Sequence, residues 1–232
     1  MSNGGRGGSS FALAARIRLM VLTTPSPACG NSLSSVVSEC LEAGCRAIQL
    51  RDKDASGLEL YEQALELREL TRPFGALLFI NDRLDVALAA GADGVHLGPD
   101  DIPVEVVRKH VQRPFLVGYS TDDPAIGRAA AEAGADYLGV GAVYGTKSKI
   151  GLEEEAVGPA RVGELARTTG LPCVGIGGIT PENAQAVAEQ GAGVAVLGAV
   201  MHAERPGEVV ERLLREIARA DGGSAARDEP EG

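Results

Sequence analysis

Short apolar runs alternate along this chain with Ala- and Glu-rich segments, and the alternation predicts strands and helices in turn. Within the runs, apolar residues do not alternate with polar ones, which is typical of parallel strands covered on both faces. We predict strands at Ile17–Leu22, Ala47–Leu50, Leu77–Ile80, Gly94–Leu97, Phe115–Tyr119, Tyr137–Val140, Cys173–Ile176 and Val194–Leu197. We predict helices at Asn31–Ala43, Ser56–Thr71, Leu84–Ala90, Pro103–His110, Pro124–Ala133, Pro159–Thr169, Pro181–Gln190 and Gly207–Ala218.

Four of the predicted helix-to-strand junctions carry similar small residues, which indicates a faint internal repeat. Each places a glycine where a helix ends and the chain turns, at 42–47, 90–95, 133–137 and 190–194. An open, doubly wound sheet would also contain such turns. Eight βα units in 232 residues nevertheless favour an α/β fold with one domain, the (β/α)8 TIM barrel, which usually has about 250 residues. We expect the barrel over residues 16–220, with flexible, Gly- and charge-rich tails at 1–15 and 221–232.

Polar side chains close most of the apolar runs, and in this fold the loops after the strands form the active site. After the second predicted strand, Gln49, Arg51 and Lys53 alternate and would share one face of an extended segment. Two cations and an amide suit a polyanion such as a diphosphate. The alternative is a solvated strand end at which Asp52 and Asp54 offset the positive charge.

Carboxylates follow the third and fourth predicted strands. Asn81 and Asp82 come directly after one, and Asp101 follows the other. Neighbouring strand ends can bring Asp82 and Asp101 to one Mg2+ ion, which usually takes one or two protein carboxylates and fills its shell with water and phosphate oxygens. Two alternatives stay open at this point: Asp101 could cap the helix that begins near Pro103, or the carboxylates could pair with Arg83.

Hydroxyl-bearing and basic residues follow the fifth and sixth predicted strands. Ser120 closes the fifth strand, and the loop after the sixth contains Thr146, Ser148 and Lys149. Such a composition suits a loop that wraps a phosphate, because loops over a barrel mouth commonly carry function. A flexible basic surface loop is the alternative.

Glycines follow the seventh and eighth predicted strands, where this fold often binds phosphate. Gly178 and the pair Leu197–Gly198 would let the backbone approach an anion closely. Together with the cationic site, this predicts two anion sites on one rim and therefore two phosphorylated substrates. His96 lies inside a strand, and we expect it to be packed rather than catalytic.

Composition excludes several other functions. The formal net charge of −10 argues against a nucleic-acid partner. No apolar stretch reaches the roughly 18 residues of a membrane helix, so we expect no membrane partner and a cytoplasmic location. The four cysteines fit neither a CxxC pair nor a zinc site, which predicts reduced and mostly buried thiols. With no Trp and few other aromatics, the core should consist of Val, Leu, Ile and Ala. The oligomeric state is not predicted.

The motifs at the strand ends, taken together, resemble the thiamine-phosphate synthase family from about Leu19 to Pro206. The matching segments are Gln-Leu-Arg-Asp-Lys at 49–53, Ile-Asn-Asp-Arg at 80–83, Gly-Ala-Asp-Gly-Val-His-Leu-Gly at 91–98, Thr-Lys-Ser-Lys at 146–149 and Gly-Ile-Gly-Gly-Ile-Thr at 175–180. The resemblance implies a Mg2+-dependent transferase that joins an aminopyrimidine methyl diphosphate to a thiazole phosphate and releases diphosphate. Its chemistry is a dissociative displacement, in which the diphosphate leaves and the thiazole nitrogen captures a pyrimidine-methyl cation.

The resemblance also implies roles for individual residues. Residues that would hold the pyrimidine diphosphate are Gln49, Arg51, Lys53, Asn81 and Lys149, with Asp82 and Asp101 on Mg2+ and Ser120 near the pyrimidine. Arg51, Lys53, Ser120 and Lys149 would be catalytic. Residues that would hold the thiazole phosphate are Thr146, Ser148, Gly178, Leu197 and Gly198. Departures from the family pattern are Ala142 and Gly145, where Pro is frequent, Ser148 in place of Thr, and Gly198 in place of Ser.

Three rival functions deserve comparison. A thiazole tautomerase on the same scaffold lacks parts of the diphosphate site and has a His after the Ser of the fifth strand, where this chain has Thr121. A non-catalytic regulator would not need two carboxylates and three basic groups together. A phosphosugar epimerase or isomerase would need a carboxylate or His base near a carbonyl.

Overall fold

Eight parallel strands close into a barrel in chain order, which confirms the predicted (β/α)8 fold. A computed structural model of the chain describes residues 6–145 and 156–225. Each strand pairs with the next, and the first pairs with the last. The strands are β1 Leu19–Leu22, β2 Ala47–Leu50, β3 Leu77–Asn81, β4 Gly94–Leu97, β5 Leu116–Ser120, β6 Tyr137–Val140, β7 Cys173–Ile176 and β8 Gly193–Val196. Four of these coincide with the prediction to the residue: β2, β4, β6 and β7.

Helices follow the strands and cover the outside of the barrel. In the described residues they are α1 Arg6–Arg16, α2 Leu33–Glu42, α3 Gly57–Thr71, α4 Leu84–Ala89, α5 Val104–His110, α6 Pro124–Ala133, α7 Gly158–Thr169, α8 Ala184–Ala188, α9 Gly198–Met201 and α10 Pro206–Ala225, with a 3-10 turn at Arg72–Phe74. Local sequence explains their ends: Ser56 and Glu59 form a capping box at α3, and Gly134 ends α6 in the left-handed conformation. None of the described helices is long and apolar enough to cross a membrane.

The core has two parts, because side chains of a strand alternate between the helices outside and the barrel interior. The outer part is aliphatic, as predicted. The inner part contains aromatic residues that the prediction of a purely aliphatic core missed. Phe79 and Tyr137 are fully buried there, with ring centroids 5.2 Å apart in an edge-to-face arrangement. The four cysteines are free, and all but Cys29 are buried; burial raises the pKa of the Cys45 thiol to about 11.

Helices reach into both segments that we expected to be tails. Residues 6–16 form α1, and α10 extends to Ala225. At the N-terminal end, burial of apolar side chains explains the helix. Leu13, and Ile17 directly after the helix, are buried against the inner cluster that includes Met20. The Arg16 guanidinium also donates to the Gly75 carbonyl at 2.7 Å. Burial of each aliphatic side chain contributes about 1.5–3 kcal/mol, enough to hold the helix against the barrel. The Gly-rich composition of the segment did not predict this contact.

Candidate active site

Two carboxylates and two cations meet at the carboxyl ends of β2, β3 and β4. The Lys53 ammonium lies 3.7 Å from the Asp82 carboxylate. Burial, and then the hydrogen bond and negative charge of Asp101, raise the pKa of Asp82 above its ordinary value, while Lys53 and Arg51 oppose the rise. The four residues predicted from separate strand ends are therefore near neighbours, as the sequence analysis required.

Backbone hydrogen bonds hold Asp82 in a strained conformation. Its φ is +64°, a left-handed value that is unusual for a residue with a side chain. The backbone closes a three-residue turn around it, since the Arg83 N–H donates to the Asn81 carbonyl at 2.8 Å. The Asp82 N–H donates to the His96 carbonyl at the same distance. Strain of this kind costs about 1–3 kcal/mol and clusters at functional sites.

A tight turn after β4 fixes Asp101. The Gly98 N–H donates to its carboxylate at 2.6 Å, and the Asp101 N–H donates back to the Gly98 carbonyl at 3.3 Å. The structure also answers the two alternatives left open by the sequence. Asp101 does not cap α5, since the residue before the helix is Pro103 and no side chain caps it. Arg83 pairs with Asp85 at 2.6 Å and not with Asp82 or Asp101.

The loop after β2 is shaped by hydrogen bonds that leave its cations facing the carboxylates. Thr23, fully buried directly after β1, accepts the Arg51 N–H at 2.9 Å. Asp52 accepts the N–H groups of Asp54 and Ala55 at 3.1 Å each, so its carboxylate orders the loop. The alternative in which Asp52 offsets the cations therefore lacks support, and the ion pair of Lys53 is with Asp82.

Gln49 is buried, whereas the cations with which we grouped it lie at the rim. β2 ends at Leu50 as predicted, and the Gln49 side chain, which is only 2% exposed, points into the barrel. Its amide nitrogen lies 3.5 Å from the Met20 sulfur, and the side chain opposes the rise in the pKa of the neighbouring Tyr137. Arg51 and Lys53 have already left the sheet at the rim, which breaks the expected alternation.

The remaining pyrimidine-side residues lie at the ends of β3 and β5. Asn81 ends β3 and is partly exposed. The Ser120 hydroxyl lies 2.8 Å from Nε2 of His96, whose ring is 8% exposed. His96 is buried as predicted, yet its contact with Ser120 connects it to the site.

The expected thiazole-phosphate site begins at a glycine turn after β7. Gly177 and Gly178 have φ values of +100° and +65°. A Cβ on Gly178 would lie 2.0 Å from the Tyr144 carbonyl oxygen, so only glycine fits. Asn183 fastens this turn: its amide oxygen accepts the Thr180 N–H at 2.8 Å, and its amide nitrogen donates to the Gly178 carbonyl at 3.0 Å.

The last predicted residues fall at the eighth strand and in the sixth loop. Leu197 and Gly198 lie directly after β8, where the short helix α9 begins. Packing does not demand glycine at 198, since an added Cβ would meet no atom closer than 3.6 Å. Gly145 has φ +33°, which excludes the Pro frequent there, because Pro fixes φ near −65°. Thr146, Ser148 and Lys149 lie outside the described residues.

The residue set fits Mg2+ by donor chemistry. Asp82 and Asp101 supply hard oxygen ligands, and their mutual repulsion is the condition that a divalent cation relieves. The described residues contain no group of three or more His, Cys, Asp or Glu side chains that could hold a metal. A cation at this pair would therefore need further oxygen ligands from water or substrate phosphate.

Sequence reasoning missed three residues that shape the site: Thr23, Tyr137 and Asn183. Thr23 follows an apolar run directly, so its place after a strand was an available signal. Tyr137 and Asn183 act through contacts across the barrel or within a turn, for which the sequence contains no comparable signal.

The chain is similar to known proteins over most of its length. Residues 19–200 match the family model described as thiamine monophosphate synthase. The chain is 47% identical over 195 residues to a thiamine-phosphate synthase of Natronomonas pharaonis, covering 83% of this chain and 91% of that one. It is 44% identical over 196 residues to a thiamine-phosphate synthase of Haloarcula marismortui, covering 83% and 93%. A solved structure of thiamine phosphate pyrophosphorylase from Pyrococcus furiosus superposes with a TM-score of 0.80 at 37% identity, covering 90% of this chain and 98% of that one.

Proposed function

The chain belongs to the thiamine monophosphate synthase family, and from that membership we propose how its rim performs the reaction. The activity is that of a thiamine-phosphate synthase: the aminopyrimidine methyl group moves from its diphosphate to the thiazole phosphate, and diphosphate is released. The single observation that carries our assignment of residues is the cluster of Lys53, Asp82, Asp101 and Arg51.

Asp82 and Asp101 would hold Mg2+ at this cluster. When bound, the ion supplies positive charge that stabilises the departing diphosphate. The left-handed turn at Asp82 and the Gly98 N–H on Asp101 fix the two carboxylates in advance, so little reorganisation is needed when the ion and the diphosphate arrive.

Arg51 and Lys53 would bind the diphosphate oxygens, with Asn81 beside them. The Lys53 side chain is 58% exposed and its contact with Asp82 is long, so its ammonium can turn to a phosphate. As the bond between the pyrimidine methylene carbon and the diphosphate oxygen breaks, its electron pair leaves on the diphosphate, where these cations stabilise it. Lys149 would add to them from the sixth loop.

The second substrate would be held across the mouth. The backbone at Gly178 and at Leu197–Gly198, with Thr146 and Ser148, would bind the thiazole phosphate, and Ser120 would contact the pyrimidine. The thiazole nitrogen then donates its lone pair to the methylene carbon, forming the new carbon–nitrogen bond. The protein contributes by holding the two reactants in line, and it needs no covalent nucleophile.

The reaction is tested with the purified full chain, both substrates and Mg2+. Thiamine phosphate and diphosphate should appear in equal amounts, and omission of any one component should abolish both. Asp82→Asn should reduce the rate by at least about tenfold, because one charged metal ligand is lost. Asp85→Asn is the matched control, since Asp85 pairs with Arg83 outside the cluster. Equal rates for the two variants would remove Asp82 from the site.

The cellular setting stays a prediction. We propose small-molecule partners only and a cytoplasmic location, on the basis of the two phosphorylated substrates and the acidic composition.

A further inference from the structure

Hydrogen-bonded polar side chains cross the barrel interior from Tyr137 to Ser120. The Tyr137 oxygen lies 2.9 Å from Nδ1 of His96, and Nε2 of His96 lies 2.8 Å from the Ser120 oxygen. Tyr137 and His96 are buried, and Ser120 is partly exposed at the mouth. Neither buried residue has a part in the proposed chemistry.

Glycines on neighbouring strands make room for the two rings. A Cβ on Gly118 would lie 2.3 Å from Cζ of Tyr137 and 2.5 Å from Nδ1 of His96. A Cβ on Gly139 would lie 3.0 Å from Cε1 of His96. Real Cβ atoms essentially never approach as closely as at Gly118, so β5 can hold these rings only with glycine there, and at Gly139 a Cβ would need the His96 ring to shift slightly.

The buried phenol sets the direction of these hydrogen bonds. Burial raises the pKa of Tyr137, so its hydroxyl keeps its proton, although the neighbouring Gln49 side chain opposes the rise. A buried hydroxyl that does not donate costs about 1–3 kcal/mol. Among the described residues, Nδ1 of His96 is the acceptor placed to receive the Tyr137 proton.

The ring of His96 must then carry its hydrogen on the other nitrogen. In a neutral imidazole one nitrogen donates and the other accepts. If Nδ1 accepts from Tyr137, Nε2 donates to the Ser120 oxygen. Ser120 uses its oxygen in that bond, so its own hydrogen is free to point at a ligand in the mouth.

We propose that Tyr137 and His96 are positioning residues that fix Ser120 as a hydrogen-bond donor toward the substrate. The group that Ser120 meets is therefore an acceptor, such as a ring nitrogen of the aminopyrimidine, and not its amino group. The choice of substrate rests on the proposed function; the direction of the hydrogen bonds rests on the burial of Tyr137 and on the distances to His96 and Ser120, and does not depend on the substrate.

The direction is tested without turnover, by 15N NMR of the full chain labelled at its three histidines. The signals lost in His96→Gln identify His96. In the wild-type protein we expect Nε2 of His96 to carry the hydrogen and Nδ1 to be unprotonated. In Tyr137→Phe, which removes the donor to Nδ1, both tautomers should appear. A wild-type His96 protonated at Nδ1 would overturn the proposal, and this holds even if the synthase activity were absent.

The consequence for Ser120 is tested by two substitutions that divide the functions of the ring. His96→Gln is long enough to return an N–H to Ser120, whereas His96→Asn reaches only the position of Nδ1. We expect His96→Asn to raise the KM of the pyrimidine diphosphate roughly tenfold, with the KM of the thiazole phosphate unchanged. His96→Gln should recover most of this loss. Equal changes in both KM values, or no recovery by Gln, would reduce His96 to a packing residue.

Discussion

Thr23 offers the sharpest test of how the site is held, because the described polar contacts of its side chain are to the backbone of Arg51 alone. Its oxygen accepts the Arg51 N–H at 2.9 Å, and its hydroxyl lies 3.5 Å from the Arg51 carbonyl. Thr23→Val keeps the shape of the side chain and removes the acceptor, so the Arg51 N–H loses its partner beside a fully buried residue.

The size of the effect follows from that lost hydrogen bond. An unpaired buried donor costs about 1–3 kcal/mol. The loop can avoid part of this cost only by moving Arg51, which then no longer faces the diphosphate. Because about 1.4 kcal/mol corresponds to a factor of ten in rate, we expect kcat/KM for the pyrimidine diphosphate to fall by roughly tenfold or more.

Steady-state kinetics and thermal unfolding should be measured on three variants. Thr23→Ser keeps the hydroxyl and should retain most of the activity. Thr71→Val makes the same exchange at another fully buried Thr, whose hydroxyl donates to the Arg68 carbonyl at the far end of α3; it should lower stability without lowering kcat/KM. Full activity in Thr23→Val, or an equal loss in Thr71→Val, would refute the link from Thr23 to Arg51.

Three further predictions concern other parts of the mouth. Because the pKa of Asp82 is raised in the folded protein, the free energy of unfolding falls as the pH rises from the ordinary pKa of aspartate to the raised one. At higher pH this loss of stability persists. Asp82→Asn should therefore raise the midpoint of thermal unfolding at pH 8 without Mg2+, with little change at pH 3, and should remove stabilisation by Mg2+. Gly198→Ser has room for its side chain and should lower the KM of the thiazole phosphate by about two- to tenfold, since it restores one donor; an unchanged KM would contradict a phosphate site there. Asn183→Ala should raise the same KM roughly tenfold and leave the KM of the pyrimidine diphosphate unchanged, because it releases the Gly178 turn.

The strands and the rim could be predicted because both follow from local patterns. Apolar runs predicted β2 and β6 to the residue, and the polar residues after the runs predicted that Asp82 and Asp101 lie close together at one rim. Parallel strands share one carboxyl edge, so residues far apart in sequence could be expected together once the barrel was inferred.

Gln49 shows where local patterns stop. The end of β2 at Leu50 was predicted to the residue, yet the pattern did not show that the chain leaves the sheet directly after it, so that Gln49 faces the barrel interior while Arg51 and Lys53 lie at the rim. The same limit hid the His96–Tyr137 contact, which joins β4 to β6 across the glycine of the strand between them. Such contacts depend on register around the closed barrel and not on spacing along the chain.

Aspartates at the two ends of the barrel have opposite surroundings. From this difference we infer that those at the amino end serve stability and those at the carboxyl end serve function. Asp136, at the amino end of β6, is buried, pairs with the guanidinium groups of Arg108 and Arg113, and accepts the Val117 N–H at 2.8 Å. Asp93 holds the equivalent position before β4 in the sequence repeat. It pairs with Arg68 at 2.7 Å and accepts the Leu78 N–H at 2.8 Å.

These satisfied carboxylates bind strands to helices, so the repeat seen in the sequence is a device for stability. Asp82, at the other end, has a strained backbone, a carboxylate neighbour and one long cationic contact at 3.7 Å. Under the proposed function, Mg2+ and the diphosphate would complete these interactions. The unsatisfied charge at the mouth would then contribute to binding, while the paired Asp93 and Asp136 at the other end stabilise the barrel.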